Sequence, residues 1–465
     1  MGGLFGVFSN SDCLEDLFYG TDYHSHLGTR RGGLAVKNSG GFQRYIKNIT
    51  TTQFRSKFEK DIKKMHGNKG IGVISDYDDQ PLIISSHLGV FAICTVGKIN
   101  NTEVLAREAL NNGSHFSEMH GGEINPTELV ATIISQGDNF KEGIQKVQDM
   151  VDGSCTMLIL TSEGIYAVRD KLGRTPLIIG EKIDSYAITM ETCAFPNLGY
   201  KITRYLGPGE VVYISKNGLE QKIPPGNRMQ ICGFLWVYYG YPASNYENIN
   251  VEVVRYNCGS LLAKNDNTPI DLVAGIPDSG TGHALGYASE TKIPFSRPFV
   301  KYTPTWPRSF MPQDQSIRDE VARMKLIPIK ELINQKRLLF CEDSIVRGTQ
   351  LKKTIQRLYE YGAMEVHMRP ACPPLVYSCK FLNFSRSRSE LDLAGRWAIK
   401  ELIGKNIDDP IEYVDPKSDK YKSMVEVIRK KLGLTSLKYQ KLEDLIIAIG
   451  LPKEKICTYC WDGAE

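Results

Sequence analysis

Lys336-Arg337-Leu338-Leu339-Phe340-Cys341-Glu342-Asp343-Ser344-Ile345-Val346-Arg347-Gly348-Thr349-Gln350 decides the fold of the second half of this chain. Leu338 to Cys341 form a continuous apolar run, the pattern of a buried strand. Leu351, Ile355 and Leu358 then follow helical spacing, and Gly362 can end that helix. Between strand and helix lies a loop with two acids first and small hydroxyl residues and a glycine last. The order makes chemical sense. Carboxylates at a strand end can hold ribose hydroxyls or a magnesium ion, and backbone N–H groups at a helix start can cradle phosphate. An isolated Glu-Asp pair in a turn is usually a solvated cap. A whole run from Glu342 to Gln350, at the end of a parallel strand where ligands bind in open α/β sheets, outweighs that bland reading.

A second loop agrees with the first. Asp271-Leu272-Val273-Ala274-Gly275-Ile276 reads as a buried strand and is followed by Pro277-Asp278-Ser279-Gly280-Thr281-Gly282. Gly280, Gly282 and Gly286 do not make a dinucleotide fingerprint, because the third glycine comes one residue late. From about 250 onward, buried strands alternate with helices, as in a doubly wound parallel sheet. Residues 1 to about 230 instead read as many short strands with Gly-rich turns, such as Cys155–Leu160, Ile165–Val168, Ser185–Thr189 and Glu210–Ile214. The turn Ile223-Pro224-Pro225-Gly226-Asn227 is the expected boundary. The first half is thus predicted to be antiparallel α+β, and the second α/β.

The chain has 465 residues, 42% hydrophobic and 24% charged, with a net charge of +4. Such balance gives no argument for nucleic acid, and a phosphate-rich small ligand needs only a local basic site. No stretch approaches the roughly 20 apolar residues of a membrane helix. Met1 to Gly6 has no basic n-region for a signal peptide, so a cytoplasmic protein is expected. Eleven cysteines without secretory features argue against a disulfide framework. Cys94, Cys155, Cys193, Cys258 and Cys341 sit in apolar runs and read as small core residues. Cys457-Thr458-Tyr459-Cys460 has a spacing that suits a metal or a cluster.

Glu342-Asp343-Ser344-Ile345-Val346-Arg347-Gly348-Thr349 resembles the phosphoribosylpyrophosphate signature of type I phosphoribosyltransferases, and more narrowly that of the amidophosphoribosyltransferase family of purine synthesis. That pattern has two aspartates where this chain has Glu342-Asp343. Pro277-Asp278-Ser279-Gly280 resembles a family loop whose serine position approaches magnesium, so Ser279, Glu342 and Asp343 are the implied magnesium residues. Arg323 and Lys325 match basic contacts to the pyrophosphate. Together with Glu342, Asp343, Ser344, Arg347, Gly348 and Thr349 they form the implied substrate-binding set. Lys301 and Arg308 are the implied catalytic residues, opening and rejoining a loop whose middle, Tyr302 to Pro307, departs from the pattern. The resemblance also implies a four-iron four-sulfur cluster on Cys232, Cys379, Cys457 and Cys460, with Cys372 a weaker candidate. A zinc site and plain structural cysteines are the alternatives.

Residues 1–230 resemble a class II glutamine amidotransferase, through His26-Leu27-Gly28-Thr29, Arg169-Asp170-Lys171-Leu172-Gly173 and Glu191-Thr192-Cys193-Ala194. The resemblance implies an α+β N-terminal hydrolase (Ntn, αββα) domain over 1–230. An α/β type I phosphoribosyltransferase domain with a parallel sheet and a C-terminal cluster-binding segment would follow over 231–465. Its glutaminase chemistry is expected to be lost. Gly2 stands where the family has its nucleophilic cysteine, Ser75 where it has the substrate-carboxylate arginine, and Val96 where it has the oxyanion asparagine. Pro126 replaces the aspartate for the substrate amine. The implied activity is magnesium-dependent transfer of phosphoribose to ammonia or another amine, with the ammonia free or from a partner glutaminase. The alternative is a non-catalytic sensor of phosphoribosylpyrophosphate or purine nucleotides paired with an active paralogue. Purine nucleotide effectors and a homo-oligomer are also expected; nucleic acid and membrane are not.

Overall fold

A computed structural model describes residues 2–76, 78–120, 122–264, 266–302, 325–382 and 390–465. The first half stacks two antiparallel sheets. One runs Lys201–Tyr205, Ile178–Lys182, Ser185–Thr189, Gly3–Ser9, Lys69–Ser75, Arg31–Asn38, Gly41–Asn48 across its width. The other runs Gly218–Ile223, Val211–Ser215, Gly164–Val168, Gly153–Leu160, Gly89–Ile99, Leu82–Ser86. The two-residue period of a strand sets what each face meets. Leu4 and Phe8 point between the sheets, where they join Leu158 and Leu160 of the second sheet. Phe5 and Val7 point the other way, onto Leu17, Phe54 and Phe58 of the helices Leu14–Asp22 and Phe54–Ile62. Met157 and Ile159 do the same for the second sheet, against Leu129, Ile133, Ile144 and Val147 of Pro126–Ile134 and Phe140–Met150. The outcome is the αββα sandwich of an Ntn hydrolase.

The second half is built on a parallel sheet in the order Leu272–Gly275, Arg337–Glu342, Glu365–Pro370, Ser436–Leu437. Leu338 and Phe340 face one side, among Ile355, Leu358, Met424 and Ile428. Leu339 and Cys341 face the other, among Ala263, Ala284 and Tyr287. A strand clad in helices on both faces explains the unbroken apolar run in its sequence. The expected helix after the acidic loop spans Thr349–Glu360. The stretch after Ile223 enters no strand until Ile231–Cys232, which pairs in parallel with Ile456–Cys457 near the end of the chain. The inter-sheet core continues into the second half through Trp236, Val237, Tyr246, Val251 and Trp461. Cys94, Cys155, Cys193, Cys258 and Cys341 are all buried. Among the described residues no helix is long and apolar enough to cross a membrane.

One buried ion pair fastens the parallel sheet to the segment before it. Arg369, fully buried in Glu365–Pro370, donates through Nε to Asp266 Oδ2 and through Nη2 to Thr268 Oγ1 at 2.9 Å. Lys438 Nζ lies 2.8 Å from the other Asp266 oxygen. Burial raises the Asp266 carboxyl, but the bonds and charge of Arg369, with Lys438 and Thr268, outweigh it and hold the group well below the usual carboxylate range. Removing one partner of such a pair strands the other, so Asp266→Ala should cost about 3–5 kcal/mol at neutral pH. The folded pKa is depressed, so the stabilisation is complete above the unfolded value of about 3.9 and fades as pH falls below it. Denaturant titrations should show the gap between wild type and variant closing as pH drops below about 4.

Candidate functional site

The two acidic and glycine-rich loops meet at the C-terminal ends of adjacent parallel strands. Leu272–Gly275 pairs with Leu338–Cys341 residue for residue, and the Ile276 N–H continues the ladder onto the Cys341 carbonyl at 3.0 Å. Gly280 lies against that same carbonyl, and a Cβ there would stand 2.2 Å from the oxygen. No other residue fits, which fixes why glycine follows Ser279. Ser279 Oγ then donates to Glu342 Oε1 at 2.9 Å. The Asp343 N–H donates to the same oxygen at 3.1 Å, and Ser344 Oγ to Asp343 Oδ1 at 2.6 Å. Both acids are buried, and burial with the adjacent Asp343 charge pushes the Glu342 carboxyl well above its ordinary range. Such a pair is short of positive charge, and with Ser279 beside it the donor set suits a hard cation.

Gly348 ends the loop at φ 79°, a left-handed conformation open to glycine, and Thr349 begins the helix. The N–H groups of a helix's first turn lack partners within the helix and suit an anion. Arg347 reaches Asp392 Oδ2 at 3.2 Å. Lys301 closes the other flank. It ends the strand Phe299–Lys301, opposite Leu326 of Leu326–Pro328, and its Nζ lies 2.5 Å from Asp278 Oδ2. Lys325 stands next to that pairing, its carbonyl accepting the Tyr302 N–H at 2.9 Å. Lys301, Ser279, Glu342, Asp343, Ser344 and Gly348 are therefore tied together through Asp278 and the strand ends. Arg308 and Arg323 lie outside the described residues.

Sequence reasoning missed two of the residues that shape this site. Asp278 is the partner of Lys301, and nothing near it in sequence shows that. Arg255 lies buried beneath, donating to the carbonyls of Trp236 at 3.1 Å, Tyr238 at 2.9 Å and Gly240 at 2.8 Å. Its charge is felt by Asp343. A signal did exist, because Arg255 interrupts the apolar stripe Val251, Val254, Cys258 of its helix.

The four positions expected to have lost glutaminase chemistry also converge. A Cβ on Gly2 would stand 2.6 Å from the Ile74 carbonyl oxygen, next to Ser75, and 3.2 Å from Val96 Cγ2. Thr95, which precedes Val96, shares a 2.7 Å hydroxyl bond with Thr127, which follows Pro126. Pro126 opens the helix Pro126–Ile134, capped by Asn125. His26 lies 3.3 Å from the buried Glu191, whose oxygens also accept from Tyr246 OH at 2.7 Å and from Ser244 Oγ.

The four cysteines of the implied cluster come from three separate segments. Cys232 and Cys457 sit side by side on the paired strands. Cys379 and Cys460 are free thiols that share a hydrogen bond, and the Cys379 sulfur accepts the N–H groups of Phe381 at 3.4 Å and Leu382 at 3.3 Å. The Cys460 bond, against burial, pulls the Cys379 thiol down to about 7. Among the described residues, no group of three or more His, Cys, Asp or Glu is arranged to hold a single metal ion. A four-iron cluster spreads its thiolates more widely than one ion does, and N–H groups aimed at sulfur suit it. Cys372 is buried, and burial with the nearby Asp343 charge pushes its thiol well above the ordinary range.

Residues 68–196 match the model of a glutamine amidotransferase domain. An amidophosphoribosyltransferase of Methanocaldococcus jannaschii is 29% identical over the whole of this chain and 97% of its own length. That of Bacillus subtilis is 28% identical over 99% of this chain and 93% of its own. A solved structure of glutamine phosphoribosylpyrophosphate amidotransferase from Bacillus subtilis, complexed with ADP and GMP, superposes with a TM-score of 0.83. It is 27% identical, across 99% of this chain and 96% of the other. A second structure, described as the allosteric regulatory enzyme of purine biosynthesis, gives 0.84 at 27% identity over 99% of this chain and 95% of its own. Amidophosphoribosyltransferases thus match this chain from end to end, across both halves.

Proposed function

We propose that this protein transfers phosphoribose from phosphoribosylpyrophosphate to ammonia or another small amine, and that it does not hydrolyse glutamine itself. The carrying observation is the chain of contacts Lys301–Asp278 and Ser279–Glu342, which draws three loops together at the parallel strand ends. In the reaction a bond forms from nitrogen to C1 of the ribose as the bond from C1 to the pyrophosphate oxygen breaks, and the amine gives up a proton. Glu342 and Asp343 would hold ribose hydroxyls, and the N–H groups from Gly348 onward the 5′-phosphate. Lys301 and Lys325, with Arg308 and Arg323, would meet the charge that develops on the leaving pyrophosphate. Magnesium, held by Glu342, Asp343 and Ser279, would neutralise that charge further. The division into an amidotransferase-like unit over 1–230 and a transferase unit over 231–465 belongs to this reading. So do purine nucleotide effectors, which the ADP and GMP bound to the Bacillus subtilis relative suggest.

The binding half is tested by calorimetry with phosphoribosylpyrophosphate, with and without magnesium. Binding should require magnesium, and Asp343→Asn should weaken it roughly ten- to a hundredfold, about 1.5–3 kcal/mol, without unfolding the protein. No binding by the wild type at millimolar ligand would remove the proposal. Release of pyrophosphate in ammonium salts tests the chemistry.

Glutamate should not form from glutamine, with or without phosphoribosylpyrophosphate. Gly2→Cys alone should not restore it, because the new Cβ meets the Ile74 carbonyl and Ser75 and Val96 still lack their polar groups. Glutamate above a no-enzyme control would contradict this.

We also propose that Cys232, Cys379, Cys457 and Cys460 hold a four-iron four-sulfur cluster that ties the C-terminal segment to the core. Anaerobically purified protein should be brown, with iron and labile sulfide, and Cys457→Ser should lose colour and melt at a lower temperature. A colourless, zinc-loaded protein of full stability is the opposing outcome.

A further inference from the structure

Arg174 is a buried cation whose partner is a cysteine. It follows Gly173 in the loop that leads into the first half's last strands, and only 2% of it is exposed. Its Nη1 donates to Cys457 Sγ at 2.8 Å and its Nη2 to Gln230 Oε1 at 3.0 Å. Nε has no partner among the described residues. The guanidinium lies flat over Phe381, 3.2 Å from the ring centroid. Asp170, the acid nearest in sequence, instead accepts the backbone N–H groups of Leu172 and Thr175. Asp170 is near enough for the two charges to interact, but among the described residues no hydrogen bond joins them, and a buried guanidinium bonded to an amide and a thiol is costly, since buried charges are normally paired.

The same residue touches all three cysteine-bearing segments. Its carbonyl accepts the Cys232 N–H at 3.1 Å. Its Nη1 meets Cys457, and its plane covers Phe381, whose N–H points at Cys379 Sγ. The other nearby cation, Lys98, bonds the carbonyl oxygen of Cys379 at 3.1 Å.

We propose that Arg174 is a positioning residue for the cysteine-held cluster, supplying the buried positive charge that balances its thiolates and fixing the three segments around it. The inference rests on the cluster reading above. A nearby cation favours the reduced form of a cluster, which carries one more negative charge, so it raises the reduction potential.

Wild type, Arg174→Met and Arg174→Lys should be purified anaerobically as full chains. Iron and sulfide per chain and the midpoint potential by visible absorbance are then compared, with far-UV circular dichroism checking the fold. Met keeps the length and the contact with Phe381 but not the charge. We expect its midpoint to fall about tenfold in the redox equilibrium, about 59 mV for a one-electron couple, and Arg174→Lys to recover more than half of that. An iron-free Arg174→Met beside an iron-loaded Arg174→Lys would support the same role. A wild-type potential in Arg174→Met overturns it, as do equal displacements, or equal iron loss, in both variants. Wild type without iron removes the cluster reading itself, whereas an iron-loaded wild type with an unmoved Arg174→Met removes only this inference.

Discussion

The Cys341 carbonyl accepts the Ile276 N–H, and the Gly280 backbone is pressed against the same oxygen. That contact holds the ends of two neighbouring parallel strands in one register, and the rest of the candidate site follows from it. With the register fixed, Ser279 falls opposite Glu342, and the loop to Gly348 turns back over both. A shift by one residue would send Glu342 to the opposite face of the sheet and break the Ser279 bond. The acids owe their burial to this arrangement, and burial is what makes their shared charge costly enough to attract a cation.

The parts of this site that were legible in the sequence are those where chemistry is local. Leu338 to Cys341 had to be a strand sheltered on both faces, because no alternation breaks the run, and the helices on either side bear that out. The two-residue alternation of Gly3–Ser9 likewise separates Leu4 and Phe8 from Phe5 and Val7. Glu342-Asp343 before a glycine and a helix start carried its own meaning. What stayed hidden was every contact made by a long side chain across sequence. Lys301 and Asp278 meet only because Phe299–Lys301 runs beside the second loop, and no spacing rule encodes that. Ile231–Cys232 and Ile456–Cys457 are too short to be seen as strands, yet their pairing brings two cysteines together.

Buried arginines do much of the long-range joining. Arg169 reaches Glu247 at 2.9 Å from the first half to the second. Arg255 ties the carbonyls of Trp236, Tyr238 and Gly240 to the helix below the acidic pair. Arg369 ties a central strand to Asp266. A guanidinium can satisfy several carbonyls at once in a fixed plane, which a lysine cannot. Arg255 and Arg369 show in the sequence only as charged residues in apolar neighbourhoods, whereas Arg169 belongs to the run Arg169-Asp170-Lys171-Leu172-Gly173.

The same dependence separates the residues that join the two halves from those at the positions read in the sequence as glutaminase positions. Gly2, Ser75, Val96 and Pro126 are small or apolar residues, and the Ile74 carbonyl and Val96 leave no room for a side chain on Gly2. The residues that join the halves are Arg169, with Glu247, and Glu191, with Tyr246 and Ser244. Glu191 is bonded so fully that its carboxyl lies below its ordinary value despite burial. A catalytic group can be exchanged for a packing group at the cost of a reaction, whereas a buried ion-pair partner cannot be removed without stranding the charge opposite it.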